Sequence, residues 1–224
     1  CQSEVAEGAL EVAGIKGVCA SDDCCKRAES ACTKVLDCGH ACGGIRDEET
    51  CLPCLQCADA DGLFVDADDF CSICWTDNLG AAPCIRMECG HVFHSSCVNA
   101  LLDRRWPGPS ITFSFADCPC CKAELAHPSI ADKIEPIRSL KNDIRRKAST
   151  RLKFEGKDKD PEVTEKQSKY FGDPESYAMD KYNYYLCFKC EKPYFGGERQ
   201  CGAGGAESFN PEELICPGCA AVCT

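Results

Sequence analysis

The chain has 224 residues, 24 of them Cys, and a formal net charge of −11 from 25 basic and 36 acidic side chains. Setting Cys aside, the apolar residues fall to roughly a third of the chain, too few for one large core at this length, so disulfides or metal must supply part of the stability. No run of eighteen apolar residues exists to span a bilayer, and the acidic balance argues against broad electrostatic capture of nucleic acid.

The cysteine spacing decides between disulfides and metal. Cys-x2-Cys recurs at Cys51/Cys54, Cys54/Cys57, Cys71/Cys74, Cys118/Cys121, Cys187/Cys190 and Cys216/Cys219. That separation lets two thiolates of one turn converge on a tetrahedral ion. Three of the four His residues, His40, His91 and His94, also lie within three positions of a Cys. A disulfide framework has no use for that placement and a zinc site does, so the expectation is Zn2+ and a reducing compartment, cytoplasm or nucleus. The chain starts with Cys rather than Met and shows no signal-peptide pattern, which reads as a fragment.

Four segments follow in chain order. Residues 1–63 are rich in Cys, Gly and Asp with little periodicity. Their cluster of Cys19, Cys24, Cys38, His40, Cys42, Cys51 and Cys54 is expected to bind zinc, as one or two ions whose pairing the spacing leaves open. Residues 64–127 hold the densest Cys/His pattern. Residues 128–160 lack Cys and contain the clearest helix, with Ile137, Leu140, Ile144, Ala148 and Leu152 at three-or-four spacing. Pro136 suits its first turn and Gly156 its end. Its other face carries Lys141, Arg145, Arg146, Lys147 and Arg151, which suits a solvated connecting helix or a dock for an acidic partner. Residues 161–224 bring Cys pairs back among Tyr, Phe and Gly.

In the second segment the order is Cys71-x2-Cys74, then Cys89-x-His91-x2-His94-x2-Cys97, then Cys118-x2-Cys121. Three Cys, two His and three Cys make the pattern of a RING in its two-histidine form. A PHD finger orders four Cys, one His and three Cys, and tends to carry Trp where this chain has Ala116 and Asp117. A RING resemblance implies a cross-brace: Cys71 and Cys74 share one ion with His94 and Cys97, while Cys89 and His91 share another with Cys118 and Cys121. Both sets are closed, so the zinc is expected to be structural. The resemblance also implies docking of a ubiquitin-conjugating enzyme at Ile73, Leu101 and Pro119. Lys122 stands where many RINGs place a cation, without the planar fork of Arg, and Trp106 reads as packing. Cys84 and Cys120 fall outside the ligand set and read as plain thiols.

In the last segment Cys187, Cys190, Cys216 and Cys219 are candidates for one four-Cys site. Cys201 sits in a Gly-rich loop near Arg199, where a cation favours the thiolate and hence a nucleophile. No His follows His127, so a Cys–His hydrolase is poorly supported, whereas exchange with an existing thioester needs no such base.

The motifs FVDADDFCSICWT, CGHVFH, RRWPGPSITFSFADCPCCK, DPESYAMDKYNYYLCFKCEKPYFGGERQC and NPEELICPGC, with LDCGHACGG and CLPC upstream, closely resemble the C-terminal region of the Pam/Highwire (Myc-binding protein 2) family, from about residue 32 onward. Those are RING-Cys-relay ubiquitin ligases. The resemblance implies that Cys201 accepts ubiquitin as a thioester on its way to a second Cys and then to a Thr or Ser hydroxyl of a protein substrate. It also implies that the family's tandem-cysteine domain continues past this chain with the second relay Cys, whose motif Cys223 does not match. The relay is then expected to stall at Cys201. The expected architecture is a small α+β zinc-binding protein, a cross-brace RING (ββα) linked by a helix to a partial tandem-cysteine domain. The alternatives are a plain RING adaptor passing ubiquitin directly to substrate Lys, and a non-catalytic zinc-built scaffold.

Overall fold

A computed structural model of the protein describes residues 10–57, 65–199 and 210–221. The described residues form three two-stranded antiparallel hairpins and six α-helices, an α+β composition. The described residues fall into two compact units. One takes residues up to Arg104 together with Ala116–Ala131, and the other takes Arg105–Phe115 with the residues from Asp132 onward. No helix among the described residues is long and apolar enough to cross a membrane.

The first unit begins with the hairpin of β1 (Leu10–Val12) and β2 (Ile15–Val18), whose register pairs Val12 with Ile15. The two-residue loop Ala13-Gly14 has positive φ at both positions, the turn that matches strand twist. Helix α1 (Asp22–Ser30) carries Asp22 and Asp23 in its first turn and Arg27 in its last, complementing the helix dipole. Arg27 reaches the rest of the unit through Asp77 and the carbonyl of Ala81. Residues 31–57 join by backbone bonds, Cys84 N–H to Gly43 O at 2.8 Å and Ala67 N–H to Leu55 O at 2.8 Å. Then come β3 (Cys84–Arg86), β4 (Val92–His94) and α2 (Ser95–Arg104), a ββα order. Ile85, Met87, Phe93, Val98, Leu102 and Leu125 are buried almost completely in this unit.

The second unit is organised by α3 (Ala131–Phe154), followed by α4 (Pro161–Thr164), α5 (Pro174–Lys181), the hairpin of β5 (Tyr182–Leu186) and β6 (Pro193–Glu198), and α6 (Pro217–Ala221). Ile144, Ala148 and Leu152 of α3 pack with Val163, Tyr177, Ala178, Tyr182 and Tyr184, while Ile137 and Leu140 flank that core half-buried. Residues 105–115, which chain order sets between α2 and the Cys118 pair, belong here. Ser110 bridges to Tyr185, Ile111 N–H donates to Tyr184 O at 2.8 Å, and Trp106 packs against the same core beside Phe115.

The helix starts earlier than the sequence suggests. Ala131 opens it, so Pro136 lies inside rather than in the first turn. The start is set instead by a 3₁₀ turn, Pro128–Ile130, with Pro128 at the position that tolerates a missing N–H and His127 as its cap. Gly156, at φ +69°, ends the helix in the left-handed conformation that glycine adopts without strain.

Candidate metal centres

Three of the Cys-x2-Cys turns are built alike. The residue after the second Cys turns back to the first: Trp75 N–H donates to Cys71 O at 2.9 Å, Lys122 N–H to Cys118 O at 2.9 Å, and Glu191 N–H to Cys187 O at 2.8 Å. All three closing residues have positive φ, 54°, 63° and 54°, a costly conformation for a side-chain-bearing residue. The same unfavourable turn recurring at three cysteine pairs points to a demand that all three share.

A second turn also repeats. Cys38-Gly39-His40 and Cys89-Gly90-His91 place their glycines at φ +84° and +88°. Gly39 N–H donates to Leu36 O and Gly90 N–H to Met87 O, each at 2.8 Å. Leu36 and Met87 in turn donate to the carbonyls of His40 and His91 at 2.9 and 2.8 Å. The segments LDCGH and MECGH are thus one structural unit used twice, in each case gathered with a later Cys-x2-Cys pair.

Among the described residues the side chains converge in five groups, each with its ligand atoms within 4.8 Å of one another. Cys71, Cys74, His94 and Cys97 form one, and Cys89, His91, Cys118 and Cys121 another. Cys187, Cys190, Cys216 and Cys219 form a third, in the second unit. The N-terminal segment divides into Cys38, His40, Cys54 and Cys57, and a set of three thiols, Cys32, Cys42 and Cys51.

The distances test whether a metal fits. Zn–S bonds of about 2.3 Å and Zn–N bonds of about 2.0 Å at tetrahedral angles put ligand atoms roughly 3.5–3.8 Å apart. Here His40 Nδ1 is 3.5 Å from Cys54 Sγ and 3.4 Å from Cys57 Sγ. His94 Nδ1 is 3.8 Å from Cys74 Sγ and 3.6 Å from Cys97 Sγ. His91 Nδ1 is 3.6 Å from Cys89 Sγ, and Cys190 Sγ is 3.8 Å from Cys216 Sγ. These distances match the edges of tetrahedra that an ion would occupy and are far longer than a disulfide bond, and none of the described cysteines is in a disulfide. The donor sets of sulfur and imidazole suit Zn2+.

The backbone prepares the thiolates. Burial acts to raise the Cys187 thiol, but the N–H groups of Cys216, Cys190 and Lys189 outweigh it and bring it down to about 6. Cys71 is also brought to about 6, burial being outweighed by the His94 side chain and the N–H groups of His94, Ile73 and Cys74. Cys84 belongs to no group. It is fully buried, its thiol donates to Leu79 O at 3.2 Å, and burial pushes it up to about 12.

Of the ligands expected from sequence, Cys38, His40, Cys42, Cys51 and Cys54 divide between the two N-terminal groups. Cys19 and Cys24 lie in neither and are hydrogen-bonded to each other. Cys57 and Cys32 complete these groups and were missed. For Cys57 the signal was present, since Cys54-x2-Cys57 is one of the recurring pairs. For Cys32, a lone Cys nine residues before Cys42, there was none. Ile73, Leu101 and Pro119 are half-buried in the first unit, where Trp75 is 72% and Phe70 59% exposed close by in the chain. Lys122 is exposed and its ammonium donates to Pro119 O at 2.9 Å. Cys201 and Cys223 lie outside the described residues.

Fold and sites together define a small α+β protein with several Cys/His clusters able to hold zinc. No family model matches the chain. It is 46% identical over 216 residues to the E3 ubiquitin-protein ligase MYCBP2 of Danio rerio, covering 95% of this chain and 5% of that protein. It is 46% identical over 227 residues to the E3 ubiquitin-protein ligase highwire of Drosophila melanogaster, covering 96% of this chain and 4% of that protein. The chain belongs to the Pam/Highwire family, and it spans about one-twentieth of the length of these curated relatives.

Proposed function

We propose that this chain is a ubiquitin-transfer module, with a RING that recruits a ubiquitin-charged conjugating enzyme and Cys201 as the thiol that accepts ubiquitin. The observation that carries the reading is the interleaving of two four-ligand groups. The first and third ligand pairs, Cys71/Cys74 and His94/Cys97, gather together, and so do the second and fourth, Cys89/His91 and Cys118/Cys121. Such crossing is what a cross-brace requires, and two ions bound there would tie together segments distant in sequence. The names of the relatives support a ligase.

In this reading zinc supplies structure and no chemistry, because each four-ligand set leaves no open position. Ile73, Leu101 and Pro119 form the contact for the conjugating enzyme, and exposed Trp75 and Phe70 extend its apolar surface. The thiolate of Cys201 attacks the ubiquitin thioester and the conjugating enzyme's thiolate leaves. Transfer then proceeds to a Thr or Ser hydroxyl of a protein substrate once a second relay thiol is supplied.

The test is single-turnover transfer from a ubiquitin-charged conjugating enzyme, read on a non-reducing gel beside Cys201→Ser and Ile73→Ala. A thiol-sensitive adduct is expected, absent with Ile73→Ala and replaced by a thiol-resistant ester with Cys201→Ser. Discharge onto free Lys that needs Ile73 but not Cys201 would make the protein a plain RING adaptor. No effect of either variant would leave a zinc-built scaffold.

A further inference from the structure

The first unit contains a chain of three polar side chains that no metal group uses. His127 Nε2 is 3.0 Å from Glu48 Oε1, with the two side chains only 10% and 15% exposed. On the other side of the ring, His127 Nδ1 is 2.7 Å from Ser129 Oγ and 3.1 Å from the backbone N of Ser129. A backbone N–H can only donate, so Nδ1 must be the acceptor and the ring proton sits on Nε2, directed at Glu48. The Ser129 hydroxyl, facing that same unprotonated Nδ1, must then donate to it. This fixes a tautomer that most histidines leave open.

The result is a nucleophile, a base and an orienting carboxylate in series. Ser129 is exposed and opens on a cleft of about 640 Å³ that Glu49, Thr50 and Pro128 also line. The second Glu48 oxygen, Oε2, is buried with no hydrogen-bond partner. Burial raises the Glu48 carboxyl, and the neighbouring His127 and the backbone of Ile45 oppose this. A capping role for His127 explains the bond to the Ser129 N–H. It does not explain a buried carboxylate behind the ring or a hydroxyl in front of it.

We propose that Ser129 is an activated hydroxyl acceptor, a site at which this protein takes the ubiquitin acyl group onto itself as an ester. The ubiquitin thioester comes from the activity proposed above, and the inference rests on that reading for its source. Ser129 Oγ adds to the thioester carbonyl as its proton passes to His127 Nδ1, and Glu48 stabilises the imidazolium. The adduct collapses, the C–S bond breaks, and the departing thiolate takes the proton from His127. A C–O ester bond replaces the thioester and no further reactant is consumed.

The test uses the zinc-loaded chain with two ubiquitin donors: a ubiquitin thioester of mercaptoethanesulfonate, which needs no ligase, and a ubiquitin-charged conjugating enzyme. Thiol-resistant, hydroxylamine-labile adducts are mapped by mass spectrometry. The ester is expected on Ser129 with both donors and is lost in Ser129→Ala. His127→Asn keeps a good helix cap but has no base, and should slow the ester roughly 100-fold or more with zinc content unchanged. No ester on Ser129 from the small-thiol donor, or an undiminished rate in His127→Asn, overturns the proposal. Discharge of the charged enzyme without an ester on Ser129 also overturns it and leaves the ligase reading standing. An ester from the small-thiol donor, with no discharge of the charged enzyme at all, keeps the activated serine and removes the ligase reading.

Discussion

His94 Nε2 lies 2.8 Å from the backbone carbonyl oxygen of Asn78. A carbonyl can only accept, so Nε2 carries a proton and is tied to it, which leaves Nδ1 facing the thiols of Cys74 and Cys97. The ring is held in the orientation a metal would need, which is the usual task of an outer hydrogen bond to a ligating histidine.

His94→Ala removes both the ligand and its tether. Zinc per chain, measured by elemental analysis, is expected to fall by one ion, and Cys71, Cys74 and Cys97 to become open to alkylation. His94→Cys offers a replacement thiolate without the bond to Asn78. It should keep the ion with affinity about 10- to 100-fold weaker, read by competition with a chromophoric chelator. Unchanged zinc content in His94→Ala would mean that these four side chains do not share an ion.

Chelation should divide the protein. Segments 31–57 and 71–104 are gathered by the Cys/His groups, and structural zinc contributes about 10–16 kcal/mol of apparent binding energy per ion. The core of Ile144, Ala148, Leu152 and Tyr182 is apolar and contains no ligand. With excess chelator, amide exchange is expected to become fast throughout 31–57 and 71–104 while Ile144–Leu152 stays slow. Equal loss of protection in both would show that the apolar core also depends on metal.

What the sequence disclosed follows from how local each cause is. The apolar stripe Ile144, Ala148 and Leu152 is buried where its spacing puts it, because helical periodicity is a property of consecutive residues. The helix start was misjudged because Pro136 is a visible signal, whereas the cap at His127 depends on Ser129 and distant Glu48. The matching turns at Cys38–His40 and Cys89–His91 could be seen in the repeated Cys-Gly-His. The division of the N-terminal ligands could not, since Cys32 meets Cys51 only after residues 31–45 double back through the Ala31–Ile45 and Val35–Ala41 bridges. The placement of residues 105–115 against β5 is likewise long-range.

Two of the thiols outside the groups, Cys84 and Cys120, should differ sharply in reactivity. Cys84 is fully buried and pushed up to about 12, whereas Cys120 is exposed and raised by its own, lesser burial. Thiolate fraction and access both set the rate. In the zinc-loaded protein, iodoacetamide is expected to label Cys120 within minutes and Cys84 only on unfolding, as peptide mapping over time would show. Early labelling of Cys84 would contradict its burial.

Glu155, just past the end of α3, collects three donors. Its Oε1 accepts from Arg151 Nε at 2.8 Å, and its Oε2 accepts from Lys157 Nζ at 2.9 Å and from the Tyr182 hydroxyl at 2.7 Å. The Lys157 bond first, then that of Tyr182, holds the carboxyl well below its ordinary value, at about 2. A carboxyl whose folded pKa is depressed adds stability that is full above its unfolded pKa and is lost as pH falls through the folded one. The window here runs from about 4.5 down to about 2. Glu155→Gln keeps an acceptor but loses the charge, and after allowance for solvent screening it should cost about 1 kcal/mol near neutral pH. Acid also releases zinc, but in both proteins alike. The difference between wild type and Glu155→Gln therefore isolates the carboxyl, and it should shrink toward zero as pH falls from about 4.5 to about 2. Amide exchange at Leu152, one turn away and almost fully buried, reports it locally. A difference that stays constant across this range would mean that Glu155 titrates no differently folded than unfolded.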